Sequence, residues 1–375
     1  MIASEKIRLS PTPEQEELFW KFCNTARFAY NESLGYKISM FKGEGYSCTV
    51  QDLIEHLQDL KYSDEYCWLQ EVPEAITKQA IRDLDKAYKM FFKRGNKGFP
   101  KFKKKGKCTP SFYVRSDKFR QLDSRHIKIT GIKTSILMKE HGMITQLLNP
   151  RIKFDGKYWY LSYSYEIDEL PISQSSEVIG VDLGIKSLAV TSDGVVYNNI
   201  NKTKRVKQLE KRKRHIQRRL SRKYEKNKEG SKFIKTNNIL KLEQELRLVH
   251  RKLKNIRDTY IHQVTYDLVK TKPGQIVIED LNVSGMLKNK HLSKSIQEQE
   301  FYKFRQYLTY KCQFYGVSLV VADRFFPSSK ICSCCRSKKK FLSLSERTYR
   351  CTQCGLEIDR DLNAALNLRG YALAQ

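Results

Sequence analysis

The sequence predicts a multidomain α+β protein, and three observations predict it. Residues 111–166 alternate and are rich in aromatics, as in "RIKFDGKYWYLSYSYEI", which reads as several β-strands. Apolar residues recur at helical spacing both before and after that region. Compact apolar runs, "SEVIGVDLG", "GQIVIEDL" and "GVSLVVADR", lie in the second half, with a long helical pattern between the first two, as in an α/β arrangement.

With 375 residues, 40% of them hydrophobic, the chain can fold two or three domains around real cores. Its 70 Lys and Arg against 41 Asp and Glu leave a formal charge of +29. Such an excess repels itself in a compact state, and a polyanion relieves it. Nucleic acid is therefore the expected partner. No basic start, apolar run and small-residue cleavage site opens the chain, and no apolar run approaches the roughly 20 residues of a membrane helix. We expect a soluble, intracellular protein that needs no membrane. Ten cysteines, four of them at metal-ligand spacing, fit a reducing compartment.

In chain order, residues 2–10 read as a short strand. A helix follows Pro11-Thr12-Pro13, with Leu18, Phe19, Phe22, Cys23, Ala26, Ala29 and Tyr30 on its inner side. A second helix is expected over about 74–93. Ile76, Ala80, Ile81, Leu84, Tyr88, Phe91 and Phe92 form its apolar side, and Lys78, Arg82, Lys86, Lys89 and Lys93 form a cationic stripe. That stripe is either a solvated face or a run of phosphate contacts, and its near-pure positive charge favours contact. Residues 95–107, "GNKGFPKFKKKGK", read as a lysine-rich connector that brings Lys101 and Lys103 to a nucleic-acid backbone. Residues 170–176 read as a linker at a domain boundary.

The segment 177–198 reads as strand, turn, strand, Asp193-Gly194 hairpin, strand. Residues 202–267 turn helical. Residues 202–232 hold 15 basic and 3 acidic residues, Arg218 and Arg219 among them. Ile239, Leu242, Leu246, Val249, Leu253, Ile256 and Tyr260 form a seam at steps of three and four. An antiparallel helical hairpin turning near residues 227–230 fits both patterns. Its basic arm is solvated surface or a nucleic-acid wall, and the charge density favours the wall. A last helix starts near Asp361.

Three acids sit where buried chain is expected: Asp182 within "VIGVDLG", Glu279 at the end of "IVIE", and Asp361 at the start of the last helix. A lone carboxylate among apolar residues could be a salt-bridge partner; three such residues point to a metal site. Phosphodiester hydrolysis by two metals needs carboxylates that hold two Mg²⁺ or Mn²⁺ ions about 3.5–4 Å apart. Asp182 is the expected central ligand, on the first strand of an RNase H-like meander. Glu279 and Asp361 complete the cup, with Asp280 and Asp359 as supporting or surface acids and Asp193 as a turn residue.

The spacing Cys332-x2-Cys335, fifteen residues, Cys351-x2-Cys354 supplies two knuckles of two thiolates each, which closes a tetrahedral structural Zn²⁺ site. Cys334 has the wrong spacing for that knuckle and is left free. The stretch between the knuckles suggests a basic hairpin.

Together, "GVDLGIKSLAVTSDG", "IVIEDLNVSGM", "DRFFPSSKICSCC", "RTYRCTQCGLEIDRDLNAALNL" and "GFPKFKKK" resemble the TnpB (OrfB-type) proteins of bacterial insertion sequences, relatives of type V CRISPR effectors. The match is densest over 177–368. The resemblance implies a split wedge-type β-barrel domain (1–10 and 111–171) with an inserted helical recognition domain (11–110). A RuvC nuclease domain (172–329 and 356–375) then carries an inserted zinc ribbon (330–355). It implies a bacterial, cytoplasmic protein, monomeric with one guide RNA, that cuts double-stranded DNA beside a short adjacent motif at one RuvC site. It places Asp182, Glu279 and Asp361 as the catalytic acids, and Lys78, Gln79 and Arg82 on a helix that reads the motif-bearing duplex. One departure is Arg336, where a glycine usually follows the first knuckle. A repressor that binds DNA through an RNA without cutting is the alternative, and three intact acids speak against it. A transposase acting alone on DNA lacks a recognisable nucleophile motif here.

Overall fold

The computed structural model describes residues 1–375 except 94–97, 169–170, 172–174, 231, 344 and 374–375, so part of the expected linker and part of the lysine-rich connector lie outside the described residues. The chain forms two compact units, Met1–Ile167 and Asp168–Gln375.

The first unit opens with β1 (Ile2–Ser10) and α1 (Pro13–Glu44). Thr12 starts α1 with a reciprocal capping box to Gln15, and Gly45 ends it in the left-handed region at φ 66°. Then come α2 (Val50–Lys61), α3 (Glu74–Phe92) and the strands β2 (Ser111–Tyr113), β3 (Arg120–Gln121), β4 (His126–Lys128), β5 (Ile136–Met138), β6 (Leu148–Phe154) and β7 (Trp159–Glu166). The strands join into one seven-stranded antiparallel sheet, β2-β6-β7-β1-β5-β4-β3, in which β1 pairs along the length of β7. The expected barrel is in hydrogen bonds an open sheet, because β2 and β3 remain edges. One sheet face closes instead on α1. Phe19 and Phe22 meet Phe112, Trp159, Ile152 and Leu161 in a buried core, and each such side chain contributes about 1.5–3 kcal/mol.

A second cluster joins α1, α2 and α3 through Leu34, Leu53, Leu57, Ile81 and Leu84. Sequence reading passed over α2. It also placed Phe91 and Phe92 on the inner side of α3. They lie in the last turn and are exposed, since the core ends at Tyr88.

The second unit carries β8 (Val178–Leu183), β9 (Ser187–Thr191), β10 (Val196–Asn198), α4 (Lys204–Lys226), the short pair β11 (Lys228–Glu229) and β12 (Lys232–Phe233), and α5 (Asn237–Val269). It continues with β13 (Gln275–Glu279), α6 (Val283–Met286), α7 (Ser293–Gln299), α8 (Phe301–Tyr315), β14 (Ser318–Ala322), β15 (Thr348–Arg350), β16 (Glu357–Asp359) and α9 (Arg360–Leu373). Its main sheet has the order β10-β9-β8-β13-β14. β8 and β9 are antiparallel, whereas β13 runs parallel to both β8 and β14.

Strand parity sorts the two faces. Ile179, Val181, Leu183, Ile276 and Ile278 pack on α5 and α8. Val178 and Val277 face the other way and pack with Leu368 of α9. The seam residues of α5 pack with Val206, Ile216 and Leu220 of α4, so the helical hairpin forms as expected and turns through β11–β12.

Gly180 lies on the α9 face of β8. A Cβ there would stand 2.0 Å from the Ala365 carbonyl oxygen and 2.5 Å from the Arg369 nitrogen. Backbone atoms of a helix cannot step aside, so α9 sits at a distance only glycine permits. Gly180→Ala should lower stability by about 3 kcal/mol or more, the upper end of overpacking costs. Chemical denaturation of the purified chain checks this.

Candidate active site

Val181 pairs with Ile278 across parallel strands, so Asp182 and Glu279 are the next residues of β8 and β13 and point to the same face. That face is covered by α9. Ala365 lies over Gly180, and Asp361 is four residues earlier on the same side of the helix. One turn back along α9 and two residues on along β8 are distances of about 5–7 Å, so Asp361 lies over Asp182. Asp359 starts this helix by accepting the backbone N–H groups of Asp361 (2.9 Å) and Leu362 (3.2 Å).

The electrostatics follow from this crowding. Burial, then the Glu279 and Asp361 carboxylates, push Asp182 well above the usual carboxylate range, against the pull of Arg360. Burial also raises Glu279, while a hydrogen bond from Ser328 and the charge of Arg360 work to lower it. The site is a concentration of negative charge in a protein of net charge +29, which is the charge demand a divalent cation meets. Carboxylate oxygens are donors of the kind that suit Mg²⁺ or Mn²⁺.

The neighbouring Asp280 points away and accepts from Arg305 (2.7 Å) and from Arg324 (3.0 Å). Both guanidiniums stay about half exposed. Sequence reading missed Ser328, Arg305, Arg324 and Arg360. Arg360 alone carried a signal, its place between the aspartates of "DRD".

The four cysteines meet. Their Sγ atoms all lie within 4.8 Å of one another. Cys332 and Cys354 are 3.6 Å apart, and Cys335 and Cys351 are 3.5 Å apart. Zn–S bonds of about 2.3 Å at tetrahedral angles put sulfurs about 3.8 Å apart, so the set fits one Zn²⁺ with no open position. The Ser337 hydroxyl, with backbone hydrogen bonds from Cys354 and Gln353, draws Cys351 down to about 5, while, against a backbone hydrogen bond from Leu356, burial and the other three thiols push Cys354 up to about 12, so the crowded thiols share their protons unevenly. Cys334 is exposed and outside the cluster.

The first knuckle turns without its glycine, since Arg336 itself adopts φ 64°, matching Gly355 at φ 73° after the second. The expected hairpin between the knuckles is corrected. β15 and β16 pair across the second knuckle, and an Ile331–Lys338 bridge closes the first. Each Cys-x2-Cys turn sends the chain back along itself, so the hairpins form around the knuckles.

Of the residues expected to meet nucleic acid, Arg82, Lys86, Lys101, Arg218 and Arg219 are exposed, and Lys78 is partly exposed with Glu74 at 2.9 Å. Arg218 lines an open depression of about 460 Å³ with Arg214, Gln217, Ser221 and Arg222. Two expectations are corrected. Gln79 is buried and donates to Asp83, which a bidentate pair holds to Arg151 at 2.7 and 2.8 Å. Lys103 is half-buried, with its ammonium 3.7 Å over the Tyr30 ring. Both side chains are spent on internal partners.

Comparison with known proteins places the whole chain beside a set of relatives. Three family models match: "Probable transposase" (OrfB_IS605) over residues 162–290, "Cas12f1-like, TNB domain" over 301–368, and "Helix-turn-helix domain" (OrfB_IS605 type) over 1–45. In this chain residues 1–45 form a strand and one long helix. A Streptomyces pristinaespiralis protein named "Putative RNA-guided DNA endonuclease" is 31% identical over 98% of this chain and 89% of its own length. An Escherichia coli K12 protein named "Putative RNA-guided DNA endonuclease InsQ" is 29% identical over 97% of this chain and 90% of its own. The chain solved in "Cryo-EM structure of the Cas12f1-sgRNA-target DNA complex" shares the fold at TM-score 0.61 and 17% identity, covering 96% of this chain and 83% of that one. By sequence along nearly its whole length, this chain belongs to the TnpB (OrfB-type) family.

Proposed function

We propose that this chain is an RNA-guided DNA endonuclease that cuts double-stranded DNA beside a short adjacent motif, using one RuvC-type site made of Asp182, Glu279 and Asp361. The observation that carries the reading is the nearness of Glu279 and Asp361 to the buried Asp182, residues far apart in sequence, beneath α9. The names of full-length relatives support it. So does the sheet order β10-β9-β8-β13-β14, with an antiparallel meander followed by parallel strands, which suits an RNase H-like domain. On this reading residues 1–10 and 111–171 are the wedge domain and 11–110 the recognition domain. Residues 172–329 with 356–375 are the nuclease, and 330–355 the zinc ribbon.

Asp182, Glu279 and Asp361 would hold two Mg²⁺ or Mn²⁺ ions, which when bound supply the Lewis acidity that activates water and stabilises the leaving oxygen. The protein's own part is placement. Two strand ends and a helix start fix the carboxylates on rigid elements. Arg360 offsets part of their repulsion. Arg305 and Arg324, braced by Asp280, offer exposed N–H groups to the phosphates of the cut strand. The basic face of α4 provides a wall for the guide RNA and its heteroduplex, held by backbone and shape.

Asp182→Asn should reduce guide-programmed, Mg²⁺-dependent plasmid cleavage by about a thousandfold or more, about 4 kcal/mol of barrier, and leave the co-purifying RNA in place. Equal cleavage by the two proteins would remove the nuclease reading. Metal analysis should find one zinc per chain. Cys351→Ser should lose it, and with it much of the roughly 10 kcal/mol that structural zinc contributes to small folds. Cys334→Ser should keep it.

A further inference from the structure

We propose that Ser328 is a positioning residue that fixes the Glu279 carboxylate, and that α9 holds Ser328 in place through Asn367. This rests on the reading of Glu279 as a metal ligand. Glu279 is the last residue of β13. Its side chain has about 2 kcal/mol of rotamer freedom to lose before it can present an oxygen in one place. The ordering contact is at hand: the Ser328 hydroxyl donates to Glu279 Oε1. An ionised carboxylate only accepts, and a serine hydroxyl has one proton to give, so the direction of the bond is fixed. Oε2 is left for a cation.

Ser328 itself is immobilised. It is 3% exposed, its N–H donates to the Phe326 carbonyl at 2.9 Å, and its own carbonyl accepts from Asn367 Nδ2 at 2.8 Å. Asn367 is fully buried and also donates to the Ile331 carbonyl at 2.6 Å. Asn363, one turn earlier and also fully buried, donates to that carbonyl at 2.7 Å and accepts from the Ser333 N–H at 2.9 Å. Ile331 and Ser333 flank Cys332, the first zinc ligand of the cluster. A single helix therefore supplies Asp361 from its first turn and, from its next turns, clamps the loop whose serine aims Glu279. The clamp continues directly into the first cysteine knuckle. This gives the zinc region a task besides its own folding: it sets where one metal-binding carboxylate points.

The test uses the full chain freed of nucleic acid, with Mn²⁺ as the probe. Free Mn²⁺ is followed by electron paramagnetic resonance during titration, and zinc content is measured on the same samples. Groups that orient metal ligands typically govern metal affinity by 10- to 100-fold. Ser328→Ala should weaken Mn²⁺ binding by about tenfold with zinc retained. Ser328→Thr should restore it, and the near-isosteric Ser328→Val should not. Parent-like Mn²⁺ binding by the Ala and Val proteins overturns the proposal, as does equal weakening by Thr and Val. If the Ala protein does not fold, the Thr–Val comparison decides alone. Asp182→Asn separates the two levels. If it binds Mn²⁺ as the parent does, the reading of the acids fails and this inference falls with it. If it binds weakly while Ser328→Val matches the parent, only the role of Ser328 fails.

Discussion

One contact governs the second unit: a helix lying on a strand at a separation that only a missing side chain allows. Gly180 brings the backbone of α9 against β8, and everything about the acid cluster follows from that approach. With the helix at that distance, strand parity decides that Asp182 and Glu279 face it, and helical period decides that Asp361 faces them. The apolar packing of Leu368 with Val178 and Val277 holds the rest of the helix down. The chemistry of the site is thus set by backbone geometry and filled by three side chains.

The arrangement opposes the fold's own stability. Asp182 has its proton affinity raised by burial and by two like charges. A carboxyl whose folded affinity for protons exceeds its unfolded one favours the fold when protonated, and that benefit is lost as pH rises through the folded value. Ionising this carboxyl in the free protein therefore costs stability, which a bound cation would offset. The same logic applies in reverse to the cationic surface, where an excess of Lys and Arg is offset by a polyanion. Two opposite charge excesses are kept apart in one unit, and Arg360 at the base of α9 is where they meet.

The sequence made legible those features that depend on local chemistry. Cysteine spacing announced the thiolate cluster, because two tight turns must each present two sulfurs. Polar interruptions of apolar runs marked Asp182 and Glu279, because burial makes such residues costly. The α5 seam was legible because its period is regular over many turns. Features set by distant packing were not. Phe91 and Phe92 look apolar enough to be inside, but the core ends before their turn. Gln79 sits beside a cationic stripe and is drawn inward by an Asp83–Arg151 pair formed across a gap of 68 residues. One face of the sheet of the first unit is covered by α1, a pairing that no strand pattern contains. Ser328 and Asn367 are ordinary residues until the fold places one against Glu279 and the other behind it. The short helices α6 and α7 carry too few turns for a period to show.

The helical hairpin also acts as a measure of length. α4 has 23 residues and α5 has 33. At about 1.5 Å per residue these are rods of about 35 and 50 Å. The shorter rod is the one that bears the dense arginines. A ligand shorter than the rod would leave part of that edge bare and its self-repulsion unrelieved. Full neutralisation of the rod thus needs a polyanion about as long as the rod itself.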